Sequence, residues 1–224
     1  MTQLAPLGEF AWLARFSTEV AAQAWASAAR TALEAQPAAF DVVLAYQSVA
    51  VFADSPGCHP ETIEKLLRIL TPAKLDHEPG PLIPVPVLYD GDDLPDAAIH
   101  LGCSVQELIA WHSQPIYTVY AVGFLPGFPY CGYLSDALAG LPRRAQPRTR
   151  VPAGSVAIAG RQTGIYPQDS PGGWHLLGRT PLTIVDLAET FFPIRAGDRI
   201  QFQPINAAEF AQLHGQRLQV NRPC

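Results

Sequence analysis

Six arginines fall between positions 143 and 179: Arg143, Arg144, Arg148, Arg150, Arg161 and Arg179. From Ala137 to Gln168 the chain carries no Asp, Glu or Lys, so its local charge opposes the formal net charge of −5. A guanidinium is a planar fork that grips a carboxylate or a phosphate through two parallel hydrogen bonds. Such a run suits recognition of a small acidic substrate or a phosphoryl group. Ion pairing with a partner, or with acidic residues elsewhere in the chain, is the structural use of the same residues, and the two readings stand side by side.

Other residue types with chemical potential surround the arginines. Gln162, Tyr166, Trp174 and His175 sit among glycines, in the pattern of an apolar cleft with a few convergent polar groups. Phe124, Pro126 and Phe128 lie in a loop of aromatics, prolines and glycines that would form the lip of that cleft. His112 stands at the end of a short helix, where a cap on the last carbonyls competes with a catalytic role. A serine hydrolase would have to be assembled from Ser155 or Ser170 with His112 or His175, and nothing in the spacing supports one. The run Gly154-Ser155-Val156-Ala157 lacks the second glycine of a nucleophile elbow. There is no phosphate-cradling GxxxxGK[ST] loop and no HExxH metal motif.

The elements that must position these residues follow from local pattern. In the first part, Phe10 to Phe16, Phe40 to Tyr46, Ser48 to Ala53 and Leu82 to Leu88 read as strands. Ser17 or Thr18 caps a helix from Glu19 to Ala35, with Val20, Ala24 and Ala28 on one face. Pro37 ends it. A second helix starts at Pro60, buries Ile63, Leu66, Leu67 and Leu70, and stops at Thr71-Pro72. The order strand, helix, strand, strand, helix, strand is the βαββαβ pattern of a ferredoxin-like domain, expected over residues 1–84. Pro84 and Pro86 mark its last strand as an edge or a linker.

In residues 85–224 a helix over 96–101 precedes a capping box, Ser104-Val-Gln-Glu107, that opens a helix over 105–112. Short strands are expected at 117–124, 154–159, 163–166, 174–178, 182–186 and 199–203, as in an all-β barrel or sandwich. A helix follows at 207–214.

Composition bounds the class. With 48% hydrophobic and 16% charged residues the 224-residue chain can build real cores. Its acidic balance gives no global attraction to nucleic acid or anionic membrane. Cys58, Cys103, Cys131 and Cys224 are scattered, with no metal-site spacing, and read as free thiols. No signal peptide or membrane span is visible, so a cytoplasmic protein is expected.

Four segments carry a resemblance: Gly123-Phe-Leu-Pro-Gly-Phe-Pro-Tyr130, Pro147-Arg-Thr-Arg-Val-Pro-Ala-Gly-Ser-Val-Ala-Ile-Ala-Gly160, Gln162-Thr-Gly-Ile-Tyr-Pro167 and Ser170-Pro-Gly-Gly-Trp-His-Leu-Leu-Gly-Arg-Thr-Pro181. Together with Ala45-Tyr-Gln-Ser-Val-Ala-Val51 they resemble the allophanate hydrolase subunit 1 family, whose members are also described as the B subunit of 5-oxoprolinase and as Kip-type kinase inhibitors. The resemblance implies an α+β fold, with a small N-terminal domain followed by a cyclophilin-like β-barrel. It implies two partners. One is a second module half, of the type of the 5-oxoprolinase C subunit or of allophanate hydrolase subunit 2. The other is a LamB/YcsF-type protein, the A subunit. It implies ATP, with Mg2+, used in the assembled complex to open 5-oxo-L-proline to L-glutamate; this chain alone is expected to be inactive, with no metal site of its own. For that chemistry Arg148, Arg150 and Arg179, with Ser155 and Trp174, are expected to bind substrate or phosphate, and His112, Gln162, Tyr166 and His175 to be catalytic; the resemblance places these residues in its matching segments without assigning their roles. The alternatives within the family are an inhibitor of a sensor histidine kinase and a component of a urea-degrading carboxyltransferase or allophanate hydrolase system.

Overall fold

A computed structural model describes residues 3–36, 40–53, 59–71 and 80–222. Contacts divide the chain into two units, 1–78 and 79–224. Pro37, Cys58, Pro72, His77 and Cys224 lie outside the described residues.

The first unit contains β1 (Gln3–Pro6), β2 (Ala11–Arg15), α1 (Glu19–Glu34), β3 (Phe40–Ala45), β4 (Ser48–Ala53) and α2 (Pro60–Ile69). Its strands pair antiparallel in the order β1-β2-β4-β3. The β2–α1–β3 crossover with β4 inserted is the split arrangement that the sequence pattern predicts. The fourth strand is not. Leu82–Val87 forms β5 in the second unit, and β1 takes the edge beside β2 instead. The expected boundary at 84/85 thus falls inside β5.

Thr18 caps α1, its hydroxyl accepting from the Ala21 N–H at 3.2 Å. The buried residues of α1 are Ala22, Ala24, Trp25, Ala26, Ala29 and Leu33; of the expected face Ala24 is buried, whereas Val20 is exposed. The small alanines let the helix lie close on β3 and β4, while Trp25 packs on Phe16 with ring centroids 5.6 Å apart. In α2 the turn begins at Pro60 as predicted, and Ile63 and Leu67 are buried.

The second unit contains β5 (Leu82–Val87), α3 (Leu94–Leu101), α4 (Val105–Ser113), β6 (Tyr117–Val122), β7 (Pro129–Gly132), β8 (Arg148–Val151), β9 (Ser155–Ala159), β10 (Gln162–Ile165), β11 (Ser170–Gly172), β12 (His175–Arg179), β13 (Arg199–Pro204) and α5 (Ala207–Leu213). The main sheet runs β5-β13-β6-β7-β10-β9-β12, antiparallel except for the parallel pair β5/β13. Leu88 and Arg179 exchange two backbone hydrogen bonds of 2.9 Å, which brings β12 back to the end of β5 and closes the sheet on itself. Pro84 and Pro86 are tolerated because β5 ladders with β13 alone. The strand expected at 182–186 makes only isolated bridges, whereas the short strands β7, β8 and β11 carried too little apolar alternation to be foreseen.

Every residue of β9 is buried. Val156 and Ile158 point into the main core with Ile83, Val119, Leu177 and Phe202. Ala157 and Ala159 point to the other side, into a second cluster with Phe128, Val151, Tyr166, Trp174 and Leu176. One strand thus separates the closed core from an aromatic layer, over which the two-stranded ribbon β8/β11 lies alongside. Among the described residues no helix is long and apolar enough to cross a membrane.

Candidate active site: an aromatic cleft beside an arginine-aspartate hub

The aromatic layer opens to solvent as a cleft of about 420 Å³. Phe128, Tyr130, Tyr166 and Trp174 form its wall. Phe128 meets Tyr130, Tyr166 and Trp174 edge-on, with centroids 4.9, 5.2 and 5.4 Å away. Edge-to-face contact is the favoured geometry of aromatic quadrupoles and fixes the wall without stacking it flat. The loop before Phe128 is folded by hydrogen bonds from the Phe128 N–H to the Leu125 carbonyl (3.1 Å) and from the Gly123 N–H to the Phe128 carbonyl (3.0 Å). Phe124, held at a φ of +68°, projects from it as a lip and is 62% exposed. Gly172 is required here, because a Cβ would run into the Tyr166 hydroxyl. Burial holds the Tyr166 phenol above its usual pKa, against smaller opposing contributions from the Trp174 N–H and nearby arginines, so it stays protonated.

Three polar groups stand out along the cleft. Ser170 is 7% exposed, and its hydroxyl has no hydrogen-bond partner. The Nε of Arg144 is likewise buried and unpartnered. Arg143 lines the cleft and makes no ion pair within 4 Å among the described residues.

Behind the cleft lies Asp93, 3% exposed. Arg148 grips it with two hydrogen bonds of 2.8 Å, the Leu176 N–H donates at 2.8 Å, and Arg144 adds a short ion pair. Burial alone would raise the Asp93 pKa. The bonds from Arg148 and Leu176 and the two guanidinium charges outweigh it and hold the carboxyl below its usual value.

A second, more open cavity of about 590 Å³ lies where β12 meets the segment after β5. Arg179 and Asp90 face it as an ion pair at 2.8 Å, with the guanidinium 4.6 Å over the Phe210 ring. Ser155 also lines it, its hydroxyl donating to the Pro152 carbonyl at 2.7 Å.

The structure therefore splits the residues expected to form one site. Tyr166, Trp174, Phe124 and Phe128 line the aromatic cleft; Ser155 and Arg179 line the second cavity. Arg148, Arg150, Gln162, His175 and Pro126 line neither. Arg150 pairs with Asp169 on the surface, and the His175 Nε2 is bonded to the Pro142 carbonyl at 2.9 Å.

His112 requires correction: it is fully buried in the main core, not in a cleft. The Thr163 hydroxyl donates to the Ala157 carbonyl (3.1 Å), so its oxygen accepts from the His112 Nε2–H (2.8 Å), and Nδ1 accepts from the Tyr89 hydroxyl (2.7 Å). The ring stacks on Phe202 at 4.6 Å. Burial pushes its pKa down to about 3, so it is neutral and both nitrogens are occupied. It neither caps α4 through its ring nor offers a proton to solvent. Asp93, behind the cleft, is what the fold adds, and the only local signal for it was the Arg143-Arg144 pair. Tyr130 lies in the aromatic-proline loop expected as the lip, and Ser170 in the Ser170-Pro-Gly-Gly-Trp run beside it.

Among the described residues no three His, Cys, Asp or Glu side chains gather as a metal site.

The sequence matches the family described as carboxyltransferase domain, subdomain C and D, over residues 2–192. It is 41% identical over 184 residues to the B subunit of 5-oxoprolinase from Haemophilus influenzae, covering 80% of this chain and 85% of that one. It is 34% identical to the B subunit of 5-oxoprolinase from Bacillus subtilis, covering 93% and 95%. Among solved structures it superposes on TTHA0988 with a TM-score of 0.77 at 40% identity, covering 88% of this chain but 40% of that chain. The Kluyveromyces lactis urea carboxylase shares the fold, a mixed α/β architecture rich in antiparallel sheet, with a TM-score of 0.72 at 14% identity over 97% of this chain and 23% of that chain.

Proposed function

This chain belongs to the family of carboxyltransferase subdomains C and D, and we propose that it acts as the B subunit of a 5-oxoprolinase, opening 5-oxo-L-proline to L-glutamate with partner subunits. The observation that carries the reading is the identity of 34–41%, over most of both chains, to proteins named for that subunit. Its two units would be a ferredoxin-related α/β layer and a cyclophilin-like barrel. The length that TTHA0988 has beyond this chain fits a second module of the same assembly.

The lactam is a weak electrophile, so its hydrolysis needs ATP to activate the ring carbonyl and a pocket that orients the ring and excludes water. The aromatic cleft offers the pocket. Three of the arginines expected to bind phosphate are already paired. Arg148 is occupied by Asp93, Arg150 by Asp169 and Arg179 by Asp90, which cancels the charge a polyphosphate would need. ATP and Mg2+ are accordingly assigned to the assembled complex, and this chain to binding and orienting the substrate, without activity alone.

The test is co-expression with a partner of the 5-oxoprolinase C type and a LamB/YcsF-type partner, followed by measurement of ATP-dependent glutamate release from 5-oxoproline. Release that requires every component is expected. Full activity without this chain would overturn the assignment.

A further inference from the structure

The aromatic cleft holds a combination that proteins rarely leave unused. Buried polar side chains almost always have partners, because an unmet donor or acceptor forfeits its hydration for nothing. Here two such atoms, the Ser170 hydroxyl and the Arg144 Nε, are unmet on one cavity. Arg143 adds a cation, and among the described residues no acidic side chain lines the cleft. Asp93 sits behind Arg144 and engages the NH1 end of its guanidinium, which anchors the group while leaving Nε without a partner. An arginine tethered at one end is pre-organised to donate at the other.

The ligand that meets these demands is a small anion with an apolar body. Its oxygens would accept from the serine hydroxyl and the guanidiniums, and its body would lie against Trp174 and Phe128. At about 420 Å³ the cleft falls in the usual range of small-molecule sites, roughly 300–1,000 Å³.

We propose that this cleft is the substrate pocket, and that Ser170, Arg143 and Arg144 bind the ring carboxylate of 5-oxoproline while Trp174 and Phe128 hold the lactam ring. The proposal rests on the 5-oxoprolinase reading and goes beyond it by naming the carboxylate donors. The sequence named Arg143 and Arg144 only within the arginine run suited to an acidic substrate, and Ser170 only as a candidate nucleophile. The proposal also gives the cleft a basis for selectivity: 2-pyrrolidinone, the same lactam without the carboxylate, lacks the group that these residues hold.

The experiment uses the assembled enzyme, with wild-type, Arg143→Ala and Ser170→Ala forms of this chain. Activity is measured against 5-oxo-L-proline, and 2-pyrrolidinone is measured as an inhibitor. In each variant the KM for 5-oxoproline should rise roughly tenfold or more, the loss expected for a hydrogen bond to a charged group. The KM for ATP should not change, and inhibition by 2-pyrrolidinone should stay within about twofold, because the neutral ring does not use these donors. Ser170→Ala should melt at the same temperature as the wild type or higher, since the lost hydroxyl has no partner in the folded chain. KM values for 5-oxoproline within about twofold of wild type in both variants would overturn the proposal. A clear fall in the Ser170→Ala melting temperature would do so too, by showing that the hydroxyl has a structural partner. An inactive wild-type assembly would instead sink the functional reading itself, before any variant is compared.

Discussion

His112 and Ser170 are buried polar side chains of the same unit on opposite sides of β9, and they have opposite fates. His112 lies in the main core with both ring nitrogens bonded. Ser170 lies in the aromatic layer with its hydroxyl bonded to nothing. Burial is nearly equal, at 0% and 7% exposure, so burial alone does not separate structural from functional polar groups. Satisfaction does. A closed network such as Tyr89–His112–Thr163–Ala157 makes the core specific, because each member is costly to leave behind. An open donor facing a cavity carries its cost until a ligand removes it.

If that contrast is right, the cost of deleting a buried polar group should follow the number of partners it leaves behind. The largest loss is expected for Asp93→Ala, which strands Arg144, Arg148 and the Leu176 N–H. About 3 kcal/mol of unfolding free energy should disappear, measured by urea denaturation. A loss below about 1 kcal/mol would mean that the hub is solvated and the contrast empty.

Next comes His112→Phe, which keeps the stacking on Phe202 but strands the Tyr89 hydroxyl, at about 2 kcal/mol. This variant also has a pH signature. The folded pKa of about 3 lies below the unfolded value near 6.5, so below about pH 6.5 the unfolded chain binds a proton that the folded chain refuses. The stability from neutral His112 is complete above that pH and is lost as pH falls toward 3, by about 1.4 kcal/mol per unit. Stability curves from about pH 6.5 to 4 should be flatter for His112→Phe than for wild type by that slope. Parallel curves would place a titrating, solvated histidine where the structure has a buried one.

Thr163→Val leaves one ring N–H and the Ala157 carbonyl without the hydroxyl, and should cost about 1–2 kcal/mol by the same measurement. Ser170→Ala closes the series, with stability within about 0.5 kcal/mol of wild type. A cost as large as that of Thr163→Val would erase the distinction between the two sides of β9.

The fold was legible where the signal was local. Thr18 as a helix cap, Pro60 at a helix start and the Ser104/Glu107 box each depend on residues within one turn, and each is present. Strand pairing was missed where it was not local. Leu82–Val87 has the pattern of a last ferredoxin-like strand, but its partner is β13, far along the chain at Arg199–Pro204. The candidate site was legible as a region and not as a set of contacts. Tyr166 and Trp174 line one cavity together, as expected of large aromatics beside glycines. The arginines were found as a group, yet their types could not reveal that aspartates already hold Arg148, Arg150 and Arg179.

The family was legible as a resemblance of whole segments, while residue type and short spacing were enough for the capped helices, several strands of the second unit and a stretch of arginines free of acidic neighbours. Folding was needed to say which of those cations are neutralised and which buried groups are left open. Arg144 meets Asp93 across 51 positions, the Leu176 N–H meets it across 83, and His112 meets Thr163 across 51. A charge or a hydroxyl has no fixed role until the chain brings its partner within about 3 Å, or fails to.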